Sequence, residues 1–569
     1  VNRFTEALQE MGVENAPVPV SRSARPEFGE YQFNGAMALA KQLKQKPRDI
    51  AEKIVETVKL DDIASKLEVA GPGFINVHLN DAWLSNQCEL SLTDPRLGIA
   101  KSPEQNIVVD YSSPNLAKEM HVGHLRTTII GDAVVKVLEF LGHNVIRQNH
   151  MGDWGTQFGM LLAHLSDKLQ EEVAETALSD LEDFYREAKV RFDEEEGFAD
   201  RAREYVVKLQ GGDAQCLALW EKFIDVSIAH SEEVYDKLNV SLTRKDIMGE
   251  SAYNEDLANV ISDLKAKGIA VEDQGAQVVF IPELADKEGN PAVYIVQKSG
   301  GGYLYATTDL AAMRYRSGKL NADRTLILTD ARQALHFKQT EIVGRKAGFM
   351  KEEQTYEHCP FGMMLGSDGK PFKTRTGGTV KLVELLDEAV ERAGKLIAER
   401  DNDLSEEELK EVARKVGIGA VKYADLSKNR TTDYMFNWDS MLSFEGNTAP
   451  YLQYAYTRVK SLFRKAGVDM ATMPVDITIV EKQEHALAVL LMQFEEVIGM
   501  VSREATPHVL CTYLYDVASA FMTFYEACPM LKEGIEPQVR DSRLALSALV
   551  ANTLKQGLTL LGIETLEKM

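Results

Sequence analysis

The chain has 569 residues, of which 44% are hydrophobic and 27% are charged, a composition typical of a globular protein. This length predicts roughly three or four domains, and we expect no apolar run near the length of a bilayer span. The net charge of −23 argues against a surface that binds nucleic acid throughout, although local basic segments remain available to phosphates.

The first part of the chain, residues 1–98, mixes helical and strand patterns. A stretch bounded by prolines at residues 17–26 predicts a loop, and apolar spacing at residues 50–58 predicts a helix. A turn at Gly71-Pro72-Gly73 is followed by a strand pattern over residues 74–79. We therefore expect a small α+β domain ahead of the main one.

A strand, a helix and a second strand are predicted within residues 99–165. The apolar run at 107–111 predicts the first strand, residues 125–141 predict the helix, which Gly142 ends, and residues 145–148 predict the next strand. This order is a βαβ unit, so the expected fold class is α/β, with a doubly wound parallel sheet of Rossmann type. Ligands of such sheets bind at the carboxyl ends of the strands.

Two histidines stand between the first strand and the helix, in the sequence His121-Val122-Gly123-His124. Their spacing places both imidazoles on one face of a first helical turn, and the glycine lets a ligand approach the main chain closely. The helix N-terminus adds free N–H groups and positive potential. These parts suit a polyphosphate whose leaving group must be stabilised. For the tetrapeptide alone, a histidine pair that merely caps the helix is the commoner interpretation.

Later elements change in type along the chain. Residues 166–240 are rich in Glu, Asp, Lys and Ala at helical spacing and predict a helical insertion. Strand patterns return at residues 277–282, 292–297 and 325–328. From residue 383 onward the pattern is helical apart from a connection at residues 474–479. The expected domains are therefore residues 1–98, a main α/β domain at 99–382, a helical connection at 383–440 and an all-α domain at 441–569.

A glycine-flanked basic segment lies at residues 369–378. It carries Lys370, Lys373 and Arg375 together with the hydroxyl of Thr374. Cations in a mobile segment can stabilise the negative charge that develops on a leaving pyrophosphate. A flexible basic surface loop is the alternative interpretation.

Cysteine usage bears on the compartment. The five cysteines are scattered and include no CxxC pair, so neither a disulfide framework nor a zinc site is expected. That pattern favours the reducing cytosol, and the N-terminus lacks the pattern of a secretory signal. We expect a cytoplasmic protein with no membrane contact and no metal held by the protein. Candidates for local basic segments are Lys422, Lys428, Arg430, Arg458, Lys460, Arg464 and Lys465.

Several motifs occur in one order: Ser112-Ser113-Pro114-Asn115, Lys118, the histidine pair, and Gly152-Asp153-Trp154-Gly155. This order resembles the signature of class I aminoacyl-tRNA synthetases, whose HIGH region here is Pro114 to His124, and that of arginyl-tRNA synthetases in particular. The basic segment departs from the usual KMSKS form of the class, and Lys118 is expected to supply the missing charge. The resemblance implies catalytic roles for Lys118, His121, Gly123, His124, Lys373 and Arg375, and ATP contacts from His121, Gly123, His124, Lys370, Lys373 and Thr374.

The same resemblance implies a site for the amino acid arginine. A guanidinium is best matched by planar pairing with a carboxylate. Asn115 and Gln333 are expected to hold the α-amino and carboxylate end, and Tyr305, Asp309 and Asp110 to surround the guanidinium. The full set of arginine-binding residues so implied is Asp110, Ser113, Asn115, Glu250, Tyr305, Asp309 and Gln333.

The C-terminal segment that begins near residue 444 resembles the anticodon-binding domain of arginyl and related synthetases. Exposed aromatic side chains beside cations suit stacking on unpaired bases. The residues implied to contact tRNA are Phe74, Asn76, Tyr451, Tyr454, Tyr525 and Met569.

The activity implied by the resemblance is the ligation of L-arginine to tRNA(Arg). ATP with Mg²⁺ is the expected cosubstrate, and the product arginyl-tRNA forms through an arginyl-adenylate. The family further implies a monomer. Three alternatives remain: another adenylate-forming nucleotidyltransferase without tRNA, a tRNA-binding paralogue without catalysis, and an acidic scaffold protein. The aromatic C-terminal segment argues against the first, the retained histidines and acids against the second, and the order of motifs against the third.

Overall fold

The computed structural model describes residues 1–374, 377–400 and 403–569, and its N-terminal part is a four-stranded sheet with helices. In chain order the elements are α1 (Asn2–Glu10), β1 (Val20–Arg22), β2 (Tyr31–Phe33), α2 (Ala36–Leu43), α3 (Pro47–Thr57), β3 (Ala64–Ala70), β4 (Phe74–Leu79) and α4 (Asp81–Thr93). The strands lie in the order β1–β2–β4–β3, with antiparallel neighbours. The predicted helix and turn-and-strand pair are confirmed, whereas the stretch predicted as a loop at 17–26 contains β1, which pairs with β2.

The next part contains both the predicted βαβ unit and the predicted helical insertion. The first strand, the helix and the second strand are confirmed to within one residue at each end. In chain order the elements are β5 (Asn106–Asp110), α5 (Leu125–Phe140), β6 (Asn144–Gln148), α6 (Gln157–Lys168), α7 (Ala174–Ala177), α8 (Leu181–Glu194), α9 (Phe198–Gln210), α10 (Ala214–Leu238), α11 (Asn254–Ala266), β7 (Val271–Asp273), β8 (Ala276–Ile281), β9 (Ala292–Gln297), α12 (Tyr305–Gly318), β10 (Arg324–Ile327), α13 (Ala334–Lys346), β11 (Thr355–His358) and β12 (Met364–Leu365).

The central sheet is parallel, with the strand order β11–β10–β5–β6. The chain passes from β5 to β6 on one side and later returns to the other side of β5 with β10. A crevice therefore opens beyond the carboxyl ends of β5 and β10, which is where open α/β sheets bind ligands. The histidine pair follows β5 and Gln333 follows β10, so the topology brings both to this crevice.

Two other groups of elements belong to this part of the chain, one of helices and one of antiparallel strands. Helices α6 and α8 to α10 pack on one another, with Phe223 in edge contact with Phe158 and tilted against Phe184. The strands predicted at residues 277–282 and 292–297 form a separate antiparallel sheet, β7–β8–β9. Burial alternates along β9, with Val293 and Ile295 exposed, as is typical of an antiparallel sheet that faces water on one side.

The remaining described residues are almost wholly helical, as predicted. The elements are α14 (Leu382–Ala398), α15 (Glu406–Leu426), β13 (Tyr434–Met435), α16 (Trp438–Met441), α17 (Ala449–Ala466), α18 (Lys482–Met492), α19 (Phe494–Glu504), α20 (Pro507–Ala527) and α21 (Pro537–Leu560). The short strand β13 pairs with β12. Helices α17, α20 and α21 pack together and form the core of the last part.

Buried charges join α15 to α5, to the end of α10 and to the residues after α21. The guanidinium of Arg126, on α5, lies 3.2 Å from Asp425, and both side chains are buried. Lys422 donates hydrogen bonds of 2.7 Å to the carbonyls of Leu238 and Gly562, and burial lowers its pKa to about 7. Lys422 therefore lies inside the protein rather than on the basic surface segment predicted from the sequence.

The N-terminal part also contacts the C-terminal helices. His485 lies 2.5 Å from Glu30 through Nε2 and 2.5 Å from Asp81 through Nδ1. These carboxylates raise the pKa of His485 to about 9. Arg22 pairs with Glu496 at 3.1 Å. The first and last parts of the chain are thus held together by charged groups.

One segment of the C-terminal part, Lys482–Glu504, is long and apolar enough to cross a membrane by length and composition. This corrects the expectation that no apolar run approaches that length. Half of the segment is buried, and it is divided between α18 and α19, which pack on α20. These features are those of core helices.

The close packing of α5 on the turn after β5 can be tested at Gly131. A Cβ at this position would lie 2.3 Å from Cγ of Tyr111, which is buried. We expect Gly131→Ala to reduce the free energy of unfolding by about 1–3 kcal/mol, because overpacking displaces neighbours. The matched control is Gly318→Ala on α12, where the added Cβ meets no atom within 4 Å. Equal melting temperatures for the two variants would contradict this packing.

Candidate active site

The histidine pair is held by hydrogen bonds to its own main chain. The N–H of Gly123 donates to Nδ1 of His121 at 3.0 Å, and the N–H of His121 donates to Nδ1 of His124 at 3.1 Å. The two ring centroids are 4.2 Å apart. A Cβ on residue 123 would lie 2.6 Å from Cε1 of His121, so glycine is required for this arrangement.

These hydrogen bonds define the protonation of both rings. Burial lowers the pKa of His124 to about 3 and also lowers that of His121, on which Glu182 and Lys118 act in opposite directions. Both rings are therefore neutral at neutral pH. Because each Nδ1 accepts from a backbone N–H, the single ring proton resides on Nε2. The turn thus carries two neutral N–H donors.

A cleft of about 400 Å³ lies next to the histidines. Its lining includes the polar residues Ser113 and Gln333. It also includes the apolar residues Phe361 and Met364, which the sequence analysis did not select. The lining residues of this cleft that were predicted as site residues are Ser113, His121, Gly123, His124, Gln333 and Lys373.

The basic segment follows the short strand β12 and a turn, beside the cleft. Phe372 donates its N–H to the carbonyl of Met364 at 3.1 Å, and this places Lys373 in the cleft lining. Lys370 is exposed and lies in a turn in which its N–H donates to Asp368. The hydroxyl of Thr374 accepts from the N–H of Gly378 at 2.9 Å. Arg375 lies outside the described residues.

Lys118 lies between the histidines and the helical insertion. Its Nζ is 4.2 Å from the centre of the Tyr185 ring on α8, a cation–π contact. Its charge contributes to lowering the pKa of His121, so the ammonium lies near the ring as well.

Two predicted carboxylates, Glu250 and Asp309, lie in a cluster with His150 and His336. Asp309 lies 2.5 Å from Nε2 of His336 and 3.9 Å from Nε2 of His150. Burial raises the pKa of Glu250 to about 7, with the charge of His150 acting to lower it and the charges of Asp309 and Asp153 acting to raise it. A cation bound beside Glu250 would stabilise its ionised form, so the cluster suits a positively charged ligand. His150 lies two residues after the end of β6, a position at which a ligand-facing side chain is expected. No feature of the sequence pointed to His336.

The turn that carries Glu250 is held by Asp153, which the sequence analysis quoted only as part of a motif. The carboxylate of Asp153 accepts from the N–H of Ser251 at 2.8 Å and from its hydroxyl at 2.5 Å. A Cβ at Gly249 would lie 2.4 Å from the same carboxylate. Glu250 donates its own N–H to the carbonyl of Met151 at 3.0 Å.

The structure argues against a direct substrate contact for Asp110. Its carboxylate is buried and lies 2.8 Å from the guanidinium of Arg316, and its other oxygen accepts from the hydroxyl of Ser113 at 2.9 Å. Arg316 also donates to Gln148 at 2.7 Å. Asp110 thus stabilises the sheet end and orients Ser113, because an arginine of the protein already occupies the position expected for a guanidinium.

Of the other predicted arginine-binding residues, only Ser113 and Gln333 line the cleft. The side chain of Tyr305 is 66% exposed, with its ring edge against His336 at 4.9 Å between centroids. Asn115 is exposed, and its side-chain oxygen accepts from the N–H of Ala117 at 2.9 Å. Gln333 is exposed at the start of α13.

Four of the six residues predicted to contact tRNA lie in the C-terminal part, three of them on helices. A cavity of about 480 Å³ is lined by Tyr454, Tyr525 and Met569 together with cations. Arg458 lies 4.9 Å from the centre of the Tyr525 ring. Tyr451 packs instead against Tyr515 at 5.5 Å. The cations that line this cavity are Arg458, Arg464, Lys465 and Lys568.

The two N-terminal predictions differ in outcome. Phe74 is half-buried at the start of β4. Asn76 is 1% exposed, and its side-chain oxygen accepts from Nε2 of Gln32 at 2.7 Å. This burial argues against a direct contact of Asn76 with tRNA, because its polar group already pairs with a neighbouring strand.

No metal centre is evident in the described ranges. Among residues 1–374, 377–400 and 403–569, no group of three or more His, Cys, Asp and Glu side chains is arranged to hold a metal ion. All five cysteines are buried and unpaired.

Comparison with known proteins covers the whole chain. The family model described as tRNA synthetases class I (R), catalytic domain, matches residues 88–438. The DALR anticodon binding domain matches residues 452–569, and the arginyl tRNA synthetase N terminal domain matches residues 2–79.

Relatives and solved structures agree with these matches. The arginine--tRNA ligase of Alteromonas mediterranea is 98% identical over all of this chain and 99% of its own length, and that of Pseudoalteromonas atlantica is 76% identical with the same coverage. The arginyl-tRNA synthetase of Plasmodium falciparum superposes with a TM-score of 0.85 at 29% identity, over 100% of this chain and 98% of that one. The Thermus thermophilus enzyme, at 24% identity and a TM-score of 0.82 over 100% and 99% of the two chains, shares the fold. The chain therefore belongs to the arginyl-tRNA synthetase family.

Proposed function

We propose that this protein ligates L-arginine to tRNA(Arg) in two steps at the cleft beside the histidine pair. In the first step an arginine carboxylate oxygen attacks the α-phosphorus of ATP, the bond from that phosphorus to the bridging oxygen breaks, and pyrophosphate leaves. In the second step a ribose hydroxyl at the tRNA 3′ end attacks the arginyl carbonyl carbon, its proton is lost, and AMP leaves. The carboxylate needs no general base, because it is ionised at neutral pH.

The observation that carries this proposal is the pair of neutral imidazoles with their protons on Nε2. Neutral N–H donors held rigidly beside a cleft stabilise phosphate oxygens as charge develops on them, without first losing a proton. The apolar residues Phe361 and Met364 suit the adenine base, and Lys373 suits the leaving pyrophosphate. ATP enters as its magnesium complex, in which phosphates and water supply most of the ligands.

Arginine is proposed to bind between the cleft and the cluster of Glu250 and Asp309. The two carboxylates take the guanidinium, with the exposed ring of Tyr305 beside it. Asn115, Ser113 and Gln333 are proposed to orient the α-amino and carboxylate end towards the histidines. The raised pKa of Glu250 supports this orientation of arginine. Burial disfavours the ionised carboxylate, and a bound guanidinium would supply the positive charge that stabilises it.

The tRNA is proposed to bind at the C-terminal helices through the cavity that contains Tyr454 and Tyr525. Aromatic rings beside cations support stacking on unpaired bases, despite the acidic net charge of the chain. We further propose that the protein acts as a monomer in the cytoplasm. The buried, unpaired cysteines support a reducing compartment, and the monomeric state follows from the family resemblance alone.

The direct test is ATP–pyrophosphate exchange with arginine, run with and without tRNA(Arg). Exchange with arginine but not with lysine or citrulline supports both the reaction and the guanidinium specificity. Exchange that depends on tRNA would show that tRNA acts already in the first step, the activation of arginine. Absence of exchange in both conditions, with tRNA still bound, favours a tRNA-binding protein without catalysis.

Lys118 gives a prediction about the first step. We expect Lys118→Ala to lower kcat for exchange about 100-fold while the KM for ATP changes about threefold or less, because the charge is needed chiefly in the transition state. The control is Lys189→Ala on α8 of the helical insertion. The Lys189 ammonium pairs with Asp193 at 2.7 Å, and this residue does not line the cleft. A near-normal kcat for Lys118→Ala would remove this lysine from the mechanism.

Glu250 gives a prediction about pH. Burial raises its pKa to about 7, and a guanidinium binds its ionised form, so arginine binding lowers that pKa and releases a proton. The affinity for arginine should therefore be full above pH 8 and should weaken about tenfold between pH 8 and pH 6. Calorimetric titration at several pH values and in buffers of different ionisation enthalpy measures both effects.

The control for this prediction is Glu250→Gln, whose amide does not titrate. His150 and His336 lie against Asp309 in the same cluster and are unchanged in this variant, so the difference from the wild type isolates the contribution of Glu250. An unchanged pH profile in Glu250→Gln would show that Glu250 is not the titrating group.

A further inference from the structure

The segment that carries His121 is paired along its main chain with residues 380–382. The N–H of Val122 donates to the carbonyl of Val380 at 3.0 Å, and the N–H of Leu382 donates to the carbonyl of Met120 at 3.0 Å. His121 and Lys381 face each other in this short antiparallel bridge. The main-chain position of the histidine pair therefore depends on the residues that precede α14.

The side chain of Lys381 extends this pairing to the helical insertion. Its Nζ lies 2.7 Å from Asp180 and 3.5 Å from Glu119. Asp180 caps the N-terminus of α8 by accepting from the N–H of Asp183, and Glu119 accepts from the N–H of Leu181 at 3.2 Å. The Lys381 ammonium thus joins Glu119, two positions before His121, to the first turn of α8.

The same helix carries the partner of Lys118. The ring of Tyr185 lies about one turn beyond Leu181 and contacts the Lys118 ammonium at 4.2 Å. A displacement of α8 relative to the histidine turn would therefore change the position of Lys118 relative to His121. The Lys381 contacts oppose that displacement, because they link α8 to the segment that carries the histidines.

We propose that Lys381 is a positioning residue for the adenylation step: through Glu119 and Asp180 it holds helix α8, and with it Lys118, in register with the HIGH histidines. This inference rests on the proposed function. Lys381 does not itself line the cleft that contains the histidines, so its effect passes through the groups that it orients.

A contribution to overall stability alone would look different. The Lys381 side chain is 23% exposed, and ion pairs with access to water contribute little to the free energy of unfolding. Lys237 is a matched control for Lys381. Its side chain is 32% exposed and lies 2.6 Å from Asp387 and 3.8 Å from Glu233. Lys237 also joins the insertion to α14, but it has no contact with Glu119 or Asp180.

The test compares Lys381→Ala, Lys381→Arg and Lys237→Ala in ATP–pyrophosphate exchange with tRNA present. We expect Lys381→Ala to lower kcat about tenfold or more, with the KM for arginine within about twofold of the wild type, because a small misplacement acts on the transition state. Lys381→Arg should recover most of that kcat, and Lys237→Ala should match the wild type. A kcat within about twofold of the wild type for Lys381→Ala, or an equal loss for Lys237→Ala, would overturn the proposal.

A second variant tests the route through Asp180. Asp180→Ser retains a side-chain oxygen for the helix cap but removes the ion pair. The double variant with Lys381→Ala should lose no more activity than the worse single variant, because both changes break the same contact. Fully multiplicative losses would contradict a shared network, and melting temperatures within about 2 °C of the wild type would confirm that the losses are not due to unfolding.

The outcomes separate this proposal from the one on which it rests. If the wild-type protein gives no exchange, the proposed function fails and this inference fails with it. If the wild type exchanges and Lys381→Ala does so at the same rate, only the positioning role is overturned.

Discussion

The geometry of the cleft depends on how the chain leaves strand β5. Ser112 and Ser113 both adopt left-handed backbone conformations, with φ of 69° and 49°. Such conformations cost about 1 to 3 kcal/mol each for residues other than glycine. Hydrogen bonds offset this cost, since Thr127 accepts from the N–H of Ser112 at 3.1 Å and Asn149 accepts from the N–H of Ser113 at 2.9 Å. This strained turn directs the following residues across the sheet end, where the histidine pair meets residues from β10.

The βαβ unit and the histidine turn could be predicted from sequence because their determinants are local: apolar runs, helical spacing and two histidines three residues apart. The roles of Asp110 and Asn76 could not, because each depends on a partner far along the chain. Asp110 is neutralised by Arg316, 206 residues later, and Asn76 pairs with Gln32 across the sheet. Composition shows that a residue is polar, but only the fold shows which polar group already has a partner.

Burial has different consequences at the histidine pair and at Glu250. At the histidine pair burial keeps the imidazoles of His121 and His124 neutral, so that they act as donors of fixed hydrogen bonds. At Glu250 burial disfavours the ionised carboxylate, which a cationic ligand would stabilise. The same physical effect, removal of water, therefore prepares one site for phosphate and the other for a guanidinium.

The charged contacts between the first and last parts of the chain have a consequence for biosynthesis. Arg22 and Glu496 are separated by 474 positions. At ribosomal elongation rates of about 5 to 20 residues per second, roughly 25 to 95 seconds pass between the synthesis of these two partners. During that interval the N-terminal sheet must remain folded without the helices that later cover it. During this interval, the stability of the sheet depends on its own small core, which includes Phe4 stacked on Phe33.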